Sequence, residues 1–198
     1  MKKLKFILLL LLVVLISCER DDICAESTPT TPRLFVEFYD ADEQDELKSV
    51  TRLTVYGDSP DIPIPDDTDN SSAVLLEDIF DTQQRRVYNR NSNFVKLPLL
   101  IGNTNDGETT TSRFILEKDT NLRLNDNPNN DSNIDIIEIE YTTEFKYVSR
   151  ACGYKSVFNL IDVEVNPDGD DDDLWIESEE IIEILVENEN TVHVHIFH

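Results

Sequence analysis

The stretch from Ile137 to Tyr147 constrains the fold more than any other, because its side chains alternate in character over eleven residues. One side of the alternation carries Ile137, Ile139, Tyr141, Thr143, Phe145 and Tyr147, and the other carries Glu138, Glu140, Thr142, Glu144 and Lys146. A period of two belongs to an extended strand and differs from the 3.6-residue period of an α-helix. The segment therefore predicts a long β-strand with one buried and one solvated face.

Shorter segments with strand patterns lie on both sides of this run. They predict further strands at residues 33–39, 50–56, 95–101, 111–117 and 154–165. Pro98 places the third of these at a sheet edge or a bulge, since proline cannot donate to a central ladder. Turn residues separate the segments, and few stretches have a helical period. The chain is therefore predicted to be all-β, with a single antiparallel β-sandwich over residues 33–198.

The C-terminal segment also alternates. Residues 182–186 and 192–196 predict a β-hairpin that would place Glu183 opposite His195. A short helix over residues 178–187 is the alternative, but the abundance of β-branched residues favours strands.

The N-terminus predicts export. Residues 1–17 combine three early lysines with an unbroken apolar run and a small final residue, which is the pattern of a secretory signal peptide. The apolar run is eleven residues long, whereas a membrane span needs about 20. Leu15-Ile16-Ser17-Cys18 resembles the bacterial lipobox, so we expect cleavage before Cys18 and acylation of that cysteine. Residues 18–32 are then a lipidated N-terminus followed by a Ser/Thr/Pro-rich linker.

The charge of the chain excludes one class of partner. The formal net charge is −24. Removal of the signal takes three lysines with it, which leaves 14 basic against 41 acidic residues and a net charge of −27. Such a surface repels nucleic acid, and no basic stripe offsets it.

The cysteines fit an oxidising compartment. Acylation uses Cys18, which leaves Cys24 and Cys152 as an even pair and predicts one disulfide. A free thiol and a catalytic Cys152 are the alternatives. No catalytic motif accompanies that cysteine, so we predict no catalytic residue.

Two groups of residues are candidate metal ligands. Asp168, Asp170 and Asp172 lie in an acidic loop with Gly169, and their oxygens would suit Ca²⁺. The loop lacks the terminal acid of an EF-hand, so a solvated acidic loop is the alternative. The second group is a set of histidines that could bind a metal ion together with Glu183; it consists of His193, His195 and His198.

The single tryptophan gives a third hypothesis. Trp175 could stack on a sugar at the rim of the sandwich, or it could pack in the core.

Several short segments together resemble an uncharacterised family of Bacteroidota lipoproteins, a domain of unknown function. They are residues 18–24, Thr31-Pro32-Arg33-Leu34, Phe38-Tyr39-Asp40 and Ala151-Cys152-Gly153. The resemblance implies a lipoprotein and supports the Cys24–Cys152 pair, but it implies no activity. Glu19-Arg20-Asp21-Asp22 resembles the surface-export signal of such lipoproteins. We therefore expect an outer-membrane lipoprotein that is exposed at the cell surface or faces the periplasm.

Three functions remain open from the sequence. The leading hypothesis is a non-enzymatic, membrane-anchored module that binds an envelope protein or a glycan, although no ligand-binding residue can be named. The alternatives are a calcium-dependent binding or adhesion domain and a hydrolase with an unrecognised pair of carboxylates.

Overall fold

A computed structural model describes residues 24, 25, 28, 31–58, 87–102, 107–124, 131–169 and 171–198. The predicted signal peptide and Cys18 lie outside these residues. The described chain forms strands β1 Leu34–Tyr39, β2 Val50–Gly57, β3 Val87–Ser92, β4 Phe94–Leu97, β5 Thr109–Lys118, β6 Asn133–Ser149, β7 Gly153–Val165, β8 Ser178–Ile181, β9 Leu185–Val186 and β10 Val194–Phe197, with one short helix, α1 Thr120–Arg123. No helix among the described residues is long and apolar enough to cross a membrane.

The strands form two sheets, which confirms the all-β, sandwich-like prediction. The four-stranded sheet has the order β4-β1-β10-β8, and the six-stranded sheet has the order β3-β2-β5-β6-β7-β9. Neighbouring strands are antiparallel except for one pair. β10 runs parallel to β1, with Val36 beside Val194. The last strand of the chain thus lies in the middle of a sheet, next to the first.

The main core lies between the two sheets. β1 contributes Leu34, Val36 and Phe38, each 0% exposed, and the opposite sheet contributes Ile139 and Tyr141 among others. The alternation of the sequence determines which side of each strand points inward. Each fully buried apolar side chain of this size stabilises the fold by about 1.5–3 kcal/mol.

The long alternating segment is confirmed as β6, but its apolar face is not buried to the end. Phe145 is 41% exposed and Tyr147 is 61% exposed. β5 accompanies β6 only as far as Thr142, and β9 reaches β7 only at Phe158 and Asn159. The β6–β7 hairpin therefore extends beyond the described strands on either side of it, and the aromatic side chains at its end are exposed.

The predicted C-terminal hairpin is wrong. β8 pairs with β10 in the four-stranded sheet, which places Glu180 and not Glu183 opposite His195. Residues 185–186 form β9 and join the six-stranded sheet, because Val186 is 0% exposed and packs in the core. The chain thus changes sheets between β8 and β9. The alternative helix over residues 178–187 is also absent from this part of the chain.

The predicted disulfide joins Cys24 to Cys152, with the two Cα atoms 4.8 Å apart. The bond connects the N-terminal segment to the turn between β6 and β7. Ser156 donates its backbone N–H to Thr31 Oγ1 (3.0 Å), so the segment leading into β1 also contacts the hairpin. Because its sulfur is bonded, Cys152 is neither a free thiol nor a nucleophile.

Candidate binding face

The outer side of the four-stranded sheet carries rings where an alternating strand normally carries polar residues. Leu34, Val36 and Phe38 of β1 point into the core, so Phe35, Glu37 and Tyr39 point outward. Four outward residues of the neighbouring strands complete the surface: Phe94 and Lys96 from β4, and His195 and Phe197 from β10. We call the five rings of Phe35, Tyr39, Phe94, His195 and Phe197 the aromatic face; Phe94 is 42% exposed and Phe197 6% exposed, and the other three rings are half-buried.

The rings of the aromatic face form two contacting groups. The centroid of Tyr39 lies 4.3 Å from that of His195 and 6.0 Å from that of Phe197. Phe35 and Phe94 form a second, edge-to-face pair at 5.8 Å. Such contacts hold rings in fixed orientations and contribute about 0.5–1.5 kcal/mol per pair beyond burial. The face is therefore preorganised on rigid strands.

Polar groups lie among these rings. Glu37 stands beside His195 on one side and Phe94 on the other in the strand register. Its carboxylate accepts a hydrogen bond from the Tyr39 hydroxyl (3.0 Å). Burial, followed by this carboxylate, raises the pKa of Tyr39 above its ordinary value. On the neighbouring strand β4, Lys96 Nζ lies 4.8 Å from the Phe35 ring centroid. The surface thus combines apolar ring area with a carboxylate, an ammonium and an imidazole.

An ion-pair cluster closes one edge of this surface. Both carboxylate oxygens of Glu189 accept hydrogen bonds from the Arg33 guanidinium, at 2.8 and 2.7 Å. Lys96 Nζ donates to the backbone oxygen of the same glutamate (2.8 Å). The hydrogen bonds from Arg33 lower the pKa of Glu189 to about 2. The cluster holds the turn before β10 against β1 and β4.

The acidic loop has a cation partner from the protein itself. The Arg113 guanidinium forms ion pairs with Asp58, Glu138 and Asp168, and the pair with Arg113 lowers the pKa of Asp168. Asp170 lies outside the described residues, and Asp172 is exposed. No group of three potential ligands is arranged for a metal ion within the described ranges. The calcium hypothesis for Asp168, Asp170 and Asp172 stays a prediction.

The three histidines occupy different environments. His195 belongs to the aromatic face, whereas His193 is 0% exposed and His198 is 7% exposed. His193 Nδ1 accepts the backbone N–H of Phe35 (3.0 Å). The ring of His198 packs edge-on against Trp175, with centroids 5.5 Å apart. These histidines are therefore not brought together as the ligand set that the sequence proposed.

Trp175 is a core residue, so the sugar-stacking hypothesis for it is wrong. Its side chain is 7% exposed, and its indole N–H donates to the backbone oxygen of Leu116 (3.3 Å). Its backbone N–H and that of Ile176 donate to the buried carboxylate of Asp135, at 3.1 and 2.7 Å. Burial raises the pKa of Asp135 to about 6, although these hydrogen bonds oppose the shift. Asp135 thus fixes the backbone at Trp175 and Ile176, just before β8 begins.

Asp135 and His198 predict opposite pH dependences of stability. Burial lowers the pKa of His198 to about 4 from 6.5, so the stability it contributes is present above pH 6.5 and is lost as the pH falls towards 4. The pKa of Asp135 is higher in the folded protein than in the unfolded chain. Its protonation therefore stabilises the fold as the pH falls from about 6 towards 4. Each effect is worth about 2–3 kcal/mol.

We therefore expect His198→Phe to become about 2–3 kcal/mol more stable relative to wild type between pH 7 and pH 4. Asp135→Asn should become less stable relative to wild type by a similar amount over the same pH range. Urea unfolding at several pH values measures both. Parallel pH profiles for wild type and His198→Phe would contradict the assignment.

The hydrolase hypothesis depends on a pair of carboxylates with separated pKa values. The described carboxyl groups whose pKa is raised by burial are Asp135 and Glu179. Asp135 is engaged by backbone N–H groups, and the pKa of Glu179 is raised further by nearby Asp162 and Glu164. The hypothesis stays a prediction.

The aromatic face itself was missed by sequence reasoning. Its signal was present, since Phe35 and Tyr39 occupy the positions of β1 where alternation would place polar side chains.

A comparison with protein families gives one match. A model described as a family of unknown function, DUF6452, matches residues 84–198, which is more than half of the chain. The match covers β3 to β10, while β1 and β2 precede it. No curated protein matches the chain, and no solved structure matches it. The chain therefore belongs to the DUF6452 family, whose function is unknown.

Proposed function

We propose that this protein is a membrane-anchored, extracytoplasmic lipoprotein that acts as a non-enzymatic binding module of the cell envelope. The observation that carries the proposal is the aromatic face on the outer side of the four-stranded sheet. Partly exposed rings on the outer side of a sheet are typical of an interaction site, because exposed apolar area is costly unless a partner covers it. The polar groups among them would orient that partner.

Two features support the extracytoplasmic location. The Cys24–Cys152 disulfide is a bond that persists in oxidising compartments such as the periplasm or the cell surface. It leaves Cys18 as the third cysteine, in a sequence that resembles a lipobox. Anchoring through several acyl chains would keep the polypeptide outside the bilayer. Residues 19–22 follow Cys18 directly and resemble the surface-export signal of Bacteroidota lipoproteins. They favour an outer-membrane protein that is exposed at the cell surface.

The composition of the aromatic face favours a glycan as ligand. Ring faces stack on the C–H surfaces of sugars, while Glu37, Lys96 and His195 supply hydrogen-bonding groups between the rings. A chain with a net charge of −24 repels polyanions at long range. We therefore assign a neutral polysaccharide as the ligand class, with an envelope protein as the alternative.

The test is a glycan array probed with the full-length protein in nanodiscs. Wild type should retain neutral glycans, and Tyr39→Ala and Phe94→Ala should each weaken that binding roughly tenfold, because a central aromatic anchor contributes about 1.4 kcal/mol or more. Ile182→Ala/Ile184→Ala is the matched control, since it removes exposed apolar side chains (47% and 61% exposed) outside the aromatic face.

Retention of no neutral glycan by the wild type would contradict the ligand class. Equal retention by wild type and both aromatic variants would place the binding surface elsewhere. Thermal melting of each variant verifies that a lost signal reflects binding and not unfolding.

A further inference from the structure

The projecting end of the β6–β7 hairpin carries a second exposed apolar surface. Phe145, Tyr147 and Tyr154 are 41%, 61% and 67% exposed. Tyr147 and Tyr154 are paired across the two strands, and their rings are in edge contact with centroids 5.5 Å apart. Phe145 lies two residues before Tyr147 and so points to the same side. These three residues form the hairpin foot.

A segment beside β6 also carries exposed apolar side chains. Leu100 and Ile101 are 63% and 57% exposed. The Tyr141 hydroxyl donates to the backbone oxygen of Leu100 (2.8 Å), which fixes this segment beside β6. Phe145 lies four residues further along the strand, or about 13 Å. Two further exposed apolar side chains therefore lie beside β6, about 13 Å along the strand from Phe145.

The hairpin segment itself is richer in basic side chains than the rest of the chain. Residues 143–156 contain three basic side chains, Lys146, Arg150 and Lys155, against one acidic side chain, Glu144. The net charge of these fourteen residues is thus +2, although Lys146 pairs with Glu187 (3.1 Å) and residues 18–26 of the disulfide-linked segment carry four acidic side chains against one basic. Tyrosine and basic residues together are typical of segments that lie at the headgroup level of a membrane.

The disulfide relates this end to the lipid anchor. Cys24 is bonded to Cys152 in the turn of the same hairpin, and five residues separate Cys24 from Cys18. Six residue steps span at most about 20 Å. An acylated Cys18 would therefore hold the hairpin foot within about 20 Å of the lipid headgroups.

We propose that the hairpin foot contacts the surface of the membrane that holds the lipid anchor, with Phe145, Tyr147 and Tyr154 at the headgroup level. This inference rests on the acylation of Cys18 in the proposed function. The contact fixes the orientation of the domain, with the hairpin end directed to the lipid. β1 leads away from that end, because Thr31 contacts Ser156 and Tyr39 lies eight residues further, about 26 Å along an extended chain.

The test places a fluorescent reporter on the hairpin foot. The acylated protein with Tyr147→Trp is reconstituted into vesicles of phosphatidylethanolamine and phosphatidylglycerol, with or without brominated acyl chains that quench tryptophan at the interface. Leu47→Trp is the matched control, because Leu47 is 48% exposed and bridges to Tyr39 at the other end. Trp175 is buried and present in both variants, so it adds the same background.

We expect brominated lipid to remove roughly half of the added emission of Tyr147→Trp, since interfacial side chains lie about 5–10 Å into the headgroup boundary. The emission of Leu47→Trp should not change. Vesicle flotation tests the lipid anchor separately from the contact between the hairpin foot and the membrane. Protein that fails to float with the vesicles would contradict acylation and anchoring. Protein that floats but shows no quenching of Tyr147→Trp would overturn the membrane contact and leave a protein partner as the occupant of the hairpin foot.

Discussion

Replacing both Cys24 and Cys152 with serine should lower the free energy of unfolding by about 4 kcal/mol. The two residues are 128 positions apart, and a cross-link that closes so long a loop restricts the unfolded chain more than a short one does. Urea unfolding of wild type and the double variant at pH 7 measures the difference. The same loss should follow when wild type is reduced with dithiothreitol.

A matched control separates the cross-link from the side chains. Each single serine variant should be destabilised about as much as the double variant, because either change removes the same bond. An unfolding free energy in the double variant equal to that of wild type would contradict a native Cys24–Cys152 bond.

The second large effect concerns a buried ion pair on the outer side of the six-stranded sheet. Glu117 on β5 is 0% exposed, and its carboxylate accepts hydrogen bonds from Arg123 Nε and Nη2 at 2.6 and 2.9 Å. Ser132 Oγ also donates to it (2.7 Å). Glu117→Gln would remove the buried carboxylate charge that the Arg123 guanidinium contacts at two nitrogens, so we expect destabilisation by about 3–5 kcal/mol.

Two comparisons test this interpretation. Glu117→Leu combined with Arg123→Met should recover most of the stability, because both charges of this buried pair are replaced by apolar side chains. Glu187→Gln breaks the exposed pair with Lys146, whose side chains are 47% and 37% exposed, and should cost less than about 1 kcal/mol. A loss below about 1 kcal/mol in Glu117→Gln would show that the pair contributes no more than a surface one.

The strands that enclose the core could be predicted from the sequence. Alternation identified β1, β2, β5, β6 and β7, because a strand between a core and solvent must alternate. Pro98 predicted a sheet edge or a bulge, and β4 is an edge strand, but it ends at Leu97 and does not extend to residue 101 as predicted. These features are local, so a single segment contains the information that determines them.

The pairing of the C-terminal strands could not be predicted in the same way. Residues 182–186 alternate, yet Ile182 and Ile184 are 47% and 61% exposed, and only residues 185–186 form a strand there. Alternation identifies which side of a strand is apolar, but it does not identify the sheet that the strand joins. That choice depends on β7 and β10, which lie far apart in the sequence.

The candidate sites depended even more on distant residues. Arg113 pairs with Asp58, Glu138 and Asp168, and no spacing in the sequence relates these positions. The aromatic face combines β1 with β4 and β10, which are separated by more than fifty residues each. The disulfide was predictable because the proposed acylation of Cys18 leaves two cysteines that can pair with each other.

The two exposed apolar surfaces suit different roles in one arrangement. The hairpin foot lies next to the disulfide and close to the proposed anchor, whereas the aromatic face lies on strands that lead away from it. A lipoprotein whose hairpin foot contacts the membrane would keep the aromatic face accessible to a glycan. Both roles depend on Cys18 as the point of attachment.

Mass spectrometry of the N-terminal peptide, from protein extracted from the membranes of its host, tests this central claim most directly. We expect a peptide that begins at Cys18 and carries the added mass of acyl chains on that residue. A peptide that begins elsewhere, or that contains an unmodified Cys18, would contradict the lipoprotein assignment and the orientation derived from it.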